Sequence, residues 1–210
     1  MEHPDLPALN DTIKKSKRWM EAAAKLMNGL QFETTSRRRL SVTLHHLCIE
    51  HHTAIHTLVD HHVWGSAFAL LRPQLEAYVR GSWFSVCASE ADIDRFYEDK
   101  DPPPFKVMIG QLEASGRFSE SLKNIHAASW KQLCGLTHGG AIHVAGRNTA
   151  NEIVARYEPR EVTKLIMSST LLSIAGCSGI GRAVDSPTLA SWISDAYEGI
   201  YGEALLSKDD

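Results

Sequence analysis

The sequence has no CxxC pair, no convincing run of strand-like alternation and no internal repeat. Its four cysteines, Cys48, Cys87, Cys134 and Cys177, are far apart and each falls in a helical pattern. They read as reduced, mostly buried small side chains of a cytoplasmic protein rather than a disulfide framework. Strong charge of one sign is also missing. The net charge is −3, which gives no global nucleic-acid footprint. The opening MEHPDLPALND lacks a basic start followed by an apolar core, so no secretory signal is expected. The most apolar stretch, Leu165 to Ala183, carries many Ser and Gly residues together with Arg182. It reads as a buried helix rather than a membrane span.

What is present is helical periodicity throughout. With 210 residues, 43% hydrophobic, the chain fits one domain with a good core. Asn10 or Asp11 can cap a first helix that reaches about Asn28 and stops at Gly29. A second helix is expected from about Thr35 to Val63, and a third from Gly65 and Ser66 to about Ala88. The acidic EADIDRFYEDKD and the triple proline 102–104 read as a rigid connection. Short helices follow near 105–115 and 119–136, then an irregular segment, GGAIHVAGRNTANEI. Helices at about 160–183 and 187–206 close the chain. The expectation is all-α: a single-domain bundle of five to seven helices over 1–210. It divides into an N-terminal helix in 1–34, a core in 35–150 and a C-terminal helical pair in 151–210.

Seven histidines fall within eighteen residues: His45, His46, His51, His52, His56, His61 and His62. On a wheel of about 100° per residue, the apolar stripe of the second helix is Leu40, Leu44, Leu47, Cys48, Ala54, Ile55 and Leu58, with His51 and His62 inside it. His45, His52 and His56 lie on one flank with Ile49 and Val59. The i, i+4 spacing of His52 and His56 puts both rings within reach of one ion. A metal site there needs a third ligand, for which His45, His138 and His143 are the candidates. No cofactor is otherwise expected. The small residues of GCSGIG at 176–181 lie in a helical pattern with no preceding strand, so they point to a close helix crossing rather than a dinucleotide site.

The third helix is apolar nearly all round, which argues a central position. Within it Arg72, Glu76 and Arg80 follow at i, i+4 and i+8. A charge buried there must be paired. The spacing serves either an intrahelical ion-pair ladder or an anion pocket in which Arg72 and Arg80 bind and Glu76 orients them. Pro73 removes one backbone hydrogen bond and frees a carbonyl near the cluster. Downstream, LTHGGAIHVAGRN reads as a helix end and a turn. Gly139 and Gly140 can bring backbone N–H groups close to a ligand. His138 can act as a general acid or base, since an imidazole titrates at roughly 6.5. His143 and Arg147 can bind the same anion. Two basic runs, Lys14–Arg18 and Arg37–Arg39, read as solvated faces or as an RNA-facing patch.

The segment SAFALLRPQLEAYVRGSW, with LTHGG some fifty residues on, resembles an uncharacterised family of bacterial helical proteins marked by SAxALxRPxxEAxxRGxW and a histidine–glycine turn. That resemblance implies an all-helical cytosolic protein. A looser similarity is to HEPN-like helical proteins, many of them ribonucleases of toxin–antitoxin and phage-defence systems. Those carry an RxxxxH-type motif at a helix end. No such motif lies near the third cluster here, where His143 precedes Arg147, so a site of that kind needs Arg72, Glu76 and His138 to meet in space. The resemblance implies a metal-independent ribonuclease with His138, Glu76 and Arg72 catalytic, and Arg80, His143 and Arg147 anion-binding. The alternatives are a non-enzymatic regulatory or anion-sensing module, and a metal-dependent hydrolase on His52 and His56. A homodimer is expected, with RNA, a small anion or a cognate protein as partner and no membrane.

Overall fold

A computed structural model describes residues 4–118 and 121–202. Among them are nine α-helices and no strand: α1 (Leu6–Met27), α2 (Ser36–Asp60), α3 (Trp64–Val86), α4 (Glu90–Tyr97), α5 (Phe105–Ala114), α6 (Ser121–Thr137), α7 (Ala141–Ala145), α8 (Pro159–Ala183) and α9 (Pro187–Tyr201). The all-α bundle is as expected. The count exceeds seven because two short helices arise where none was read. The acidic connection folds as α4, started by a capping box in which the Ser89 hydroxyl accepts from Asp92 N and the Asp92 carboxylate accepts from Ser89 N. The irregular segment contains α7 and a single bridge between Asn148 and Ile153. Helix α1 begins earlier than expected, with Asp5 as its N-cap, so Asn10 and Asp11 lie inside it. Its stop is as read: Gly29 has φ +73°. The part of the last helix expected beyond Gly202 lies outside the described residues.

Helix α2 lies between α3 and α8, and α3 also contacts α5 and α6. This placement buries a wider arc of α2 than its apolar stripe. The buried positions are Leu40, Ser41, His45, Cys48, Ile49, His52, Ile55, His56 and Val59. The expected inward histidines are therefore corrected. His51 is half-buried, and His62 sits exposed in the turn after α2 with φ +58°. The flank carrying His45, His52 and His56 faces inward instead, because small hydroxyl residues on α1, α3 and α8 meet those rings.

The GCSGIG stretch does make a close crossing. The His45 ring is held between Gly81 of α3 and Gly179 of α8, and a Cβ at Gly179 would collide with its Nε2. A Cβ at Gly176 would lie 3.2 Å from the His45 carbonyl. Helix α8 is long and apolar enough to cross a membrane by composition, yet 61% of that window is buried in the fold. Both basic runs hold structural contacts. Arg18 donates to the Gly199 carbonyl at 2.9 Å, and Arg37 to the Phe84 and Ala88 carbonyls at 2.9 and 2.6 Å. Arg37 thus satisfies carbonyls at the C-terminal end of α3, where the helix dipole favours a cation.

Candidate functional site

One face of α3 carries the site. Arg72 Nε donates to Glu76 Oε1 at 2.8 Å, while Arg80 Nη2 stands 3.9 Å from Glu76 Oε2. The ladder is thus tight on one rung and loose on the other. The Arg72 and Glu76 side chains are about one-fifth exposed, and that of Arg80 is 39% exposed. Arg80 Nε is buried with no hydrogen-bond partner among the described residues.

Helix α6 brings His138 to this ladder. Pro73 lacks an N–H, so the carbonyl of Ala69, four residues earlier, has no partner within α3. The Thr137 hydroxyl lies 3.2 Å from that carbonyl and 2.9 Å from Leu133 O, one hydrogen shared between two acceptors. Thr137 is the last residue of α6, and this contact docks the helix end on α3. Gly139 (φ +67°) then reverses the chain, and Gly140 N donates to Gly135 O at 2.7 Å. That is a Schellman closure, so the Gly140 N–H is used on the helix end rather than on a ligand.

His138 follows Thr137 and is exposed, with Nε2 2.6 Å from Arg72 Nη1. A guanidinium only donates, so Nε2 carries the lone pair and the ring is neutral with its proton on Nδ1. Trp130 of α6 lies beneath the arginine, 4.7 Å from Cζ to ring centroid. Trp130 is itself stacked on Phe105 at 4.5 Å. Arg72 is thereby fixed by a carboxylate, an imidazole and an indole. The structure thus brings together Arg72, Glu76 and His138, with Arg80 alongside.

His143 and Arg147 lie further along, over Gly65 at the start of α3. His143 Nδ1 donates to Leu136 O at 2.5 Å. A Cβ at Gly65 would collide with the Arg147 guanidinium and reach within 2.9 Å of His143 Nε2. Both side chains lie over Gly65 rather than beside Arg72. Along α3, Gly65 lies seven residues before Arg72, roughly 10 Å of helix.

His52 and His56 are apart from this face, in the core. Ser169 Oγ gives its hydrogen to Gln74 Oε1 at 2.7 Å, so it accepts from His52 Nδ1 at 2.9 Å. Ser16 Oγ lies between the two rings, 3.4 Å from His52 Nε2 and 3.1 Å from His56 Nδ1. Gln74 continues the network to the Cys48 and Ser169 carbonyls. His45 donates from Nδ1 to Ser41 O at 2.8 Å, and its Nε2 faces Ser82 Oγ at 3.2 Å. Burial pulls His52 down to about 3, with the neighbouring His56 adding to the drop. Burial likewise pulls His45 down to about 4; its bond to Ser41 opposes this and Arg182 adds to it. Both rings are therefore neutral. None of the third ligands considered for a metal joins His52 and His56. Among the described residues no group of three or more His, Cys, Asp or Glu is placed to hold an ion. Serine hydroxyls occupy the space such an ion would need.

Trp130 and Thr137 were not singled out in the sequence, nor were the serines of the core network. Their roles depend on which helices meet, which no local spacing encodes. The one local signal was Pro73, whose freed carbonyl implies a donor from outside α3.

No curated protein and no solved structure matches the chain. Residues 45–202 match the model of DUF6988, a family of unknown function. The matched region takes in α2 from His45 onward, α3 with its ladder, His138, and the C-terminal pair α8 and α9, so it extends past the core expected at 35–150. Because the match covers well over half of its length, the chain belongs to the family of unknown function DUF6988.

Proposed function

We propose that the protein processes RNA phosphodiesters without a metal ion, using His138 as the base, Arg72 as the anion ligand and Glu76 as the group that orients Arg72. The observation that carries this reading is the 2.6 Å contact between Arg72 Nη1 and His138 Nε2 at an exposed position, with the other edge of Arg72 held by Glu76. A neutral imidazole beside a fixed guanidinium is the pairing that attack by a 2′-hydroxyl needs. A phosphate offers the guanidinium a charge-assisted, bidentate partner that a neutral imidazole cannot match. Arrival of the phosphate therefore draws Arg72 off His138 and exposes the Nε2 lone pair. His138 takes the 2′-hydroxyl proton, and the 2′-oxygen attacks phosphorus. The 5′-oxygen leaves and is protonated from solvent, giving a 2′,3′-cyclic phosphate and a 5′-hydroxyl. Arg72, with Arg80 beside it, stabilises the charge that gathers on the non-bridging oxygens.

The test is incubation of purified protein with total cellular RNA, with Arg72→Ala and His138→Ala in parallel. The expected result is cleavage by the wild type, loss of about 100-fold or more in each variant, and cyclic phosphate on the products. Equal cleavage by all three proteins would overturn the assignment. One feature favours a second reading. Arg72 is held on three sides, as in a rigid anion receptor, and a sensing module would bind phosphate at Arg72 and Arg80 without turnover.

A further inference from the structure

Helix α8 is buried on one side and bare on the other. Lys164, Ser168, Leu171 and Arg182 are exposed, and Ala175 and Ser178 between the last two are half-buried. These six residues follow one another at steps of 4, 3, 4, 3 and 4, the spacing of a helix–helix seam. At about 100° per residue they stay within roughly 40° of one line along the helix. Between Lys164 and Arg182 the chain has no Asp, Glu, Lys or Arg. The bare face is thus uncharged for about five turns.

The face also has relief. Met167 and Leu171 project from it, 54% and 57% exposed. A groove of about 390 Å³ runs on one side, towards Tyr78 of α3 and Ile125 of α6. Another of about 220 Å³ runs on the other side, towards Tyr197 and Tyr201 of α9. Leu171 lines both. One turn further on, Ala175 and Ser178 are small and recessed. A ridge and the hollow that matches it therefore lie side by side on one helix.

A second copy fits this relief in one orientation. Antiparallel α8 helices paired about the level of Ser173 set Leu171 of each copy on Ala175 of the other, and Ser168 on Ser178. Each projecting side chain then meets a recessed one. Parallel pairing sets Leu171 on Leu171, ridge against ridge. The antiparallel pair is isologous, the same face serving both copies. At its ends Lys164 meets Arg182 of the other copy, with Glu161 and Asp185 three residues away, so both signs of charge are present there. The seam is about 27 Å long. At a helix width of roughly 10 Å it covers ~270 Å², against ~800 Å² per partner in a standard interface. The groove walls, with Ile125 on one side and Tyr197 and Tyr201 on the other, extend the contact beyond the helix.

We propose that two copies of this chain associate through the bare face of α8, antiparallel, with Leu171 of each seated on Ala175 of the other. This holds whatever chemistry Arg72 and His138 perform.

The experiment is sedimentation equilibrium of the full-length protein at micromolar concentration, with Leu171→Glu and, as a control away from α8, Tyr97→Glu. Both substituted side chains are exposed, so circular dichroism should show unchanged helix content. The wild type and Tyr97→Glu sediment as dimers, and Leu171→Glu as a monomer. Orientation is read by mild oxidation. A mixture of Leu171→Cys and Ala175→Cys proteins gives a disulfide-linked dimer. Leu171→Cys alone gives no more than the wild type, because the two copies of position 171 lie beyond the roughly 7 Å between Cα atoms that a disulfide spans. A monomeric wild type overturns the proposal, and so does a Leu171→Glu protein that remains a dimer. Efficient cross-linking of Leu171→Cys alone overturns the antiparallel arrangement. A monomeric wild type that floats with phosphatidylcholine vesicles, while Leu171→Glu does not, gives the face to a bilayer instead and equally overturns it.

Discussion

Acidification should unfold this protein through its core histidines before its carboxylates titrate. His45 and His52 are held near 4 and 3 by burial, whereas an imidazole in the unfolded chain titrates near 6.5. The folded values are the lower ones, so between these limits the unfolded state binds more protons. The stabilisation is fully present above pH of about 6.5 and is lost as pH falls through that value towards 4 and 3. At pH 5 the unfolded rings are almost fully protonated and the folded ones are not, so each histidine costs about 2 kcal/mol, or about 4 kcal/mol together. His51 and His56 are also lowered by burial and act in the same direction. Against a typical stability of about 5–15 kcal/mol, that loss is large. Urea unfolding followed by tryptophan fluorescence between pH 8 and 5 measures it. Trp19 is a suitable reporter, since it is fully buried and donates to Ser173 at 3.0 Å. The midpoint should fall steadily below pH 7, and unfolding at pH 5 should take up at least about two protons. A midpoint constant from pH 8 to 5.5, or one that rises on acidification, would refute the neutral buried state of these rings.

Other consequences are as direct. Gly179→Ala places a methyl group against the His45 ring, and overpacking of this kind costs about 1–3 kcal/mol; thermal melting should show the drop, and an unchanged melting temperature would contradict the close crossing. Thr137→Val removes the donor for the Ala69 carbonyl, at about 1 kcal/mol, and should lower RNA cleavage more than stability because it loosens the end of α6 that carries His138; equal activity would detach Thr137 from the site. Arg72→Lys keeps the charge but loses the planar fork that meets Glu76 and His138 together, so the ammonium should not restore cleavage; full activity would reduce Arg72 to a simple point charge. Sedimentation at micromolar concentration should give the mass of a dimer, since large apolar side chains such as Trp192, Met167 and Leu171 stand more than half exposed; a monomer mass would leave those surfaces without a partner copy.

The parts of this molecule that were legible in the sequence are those set by local spacing. Helix α3 is apolar on nearly every face and does occupy the centre, and Arg72 and Glu76 meet because i, i+4 side chains on a helix must. Gly29 and Pro187 mark helix boundaries by backbone chemistry alone. The histidines of α2 were harder. A wheel ranks imidazole as polar and so turned His45, His52 and His56 to the flank, whereas Ser16, Ser41, Ser82, Ser169 and Gln74 supply the partners that allow them inside. Helix α4 was hidden by its acidic composition and the prolines that follow, although Ser89 and Asp92 spelled its capping box. The contact of His138 with Arg72 spans 66 residues. Its only local trace is Pro73, which makes Ala69 seek a donor that turns out to be Thr137.

The most direct measurement of the central claim is single-turnover cleavage of an end-labelled oligoribonucleotide by the wild type and His138→Gln. The glutamine carbonyl can still accept from Arg72 Nη1 but cannot take a proton from a 2′-hydroxyl. The account predicts that His138→Gln melts like the wild type, binds the oligoribonucleotide with similar affinity and cleaves it at least about 100-fold more slowly. Cleavage by His138→Gln at the wild-type rate would contradict it.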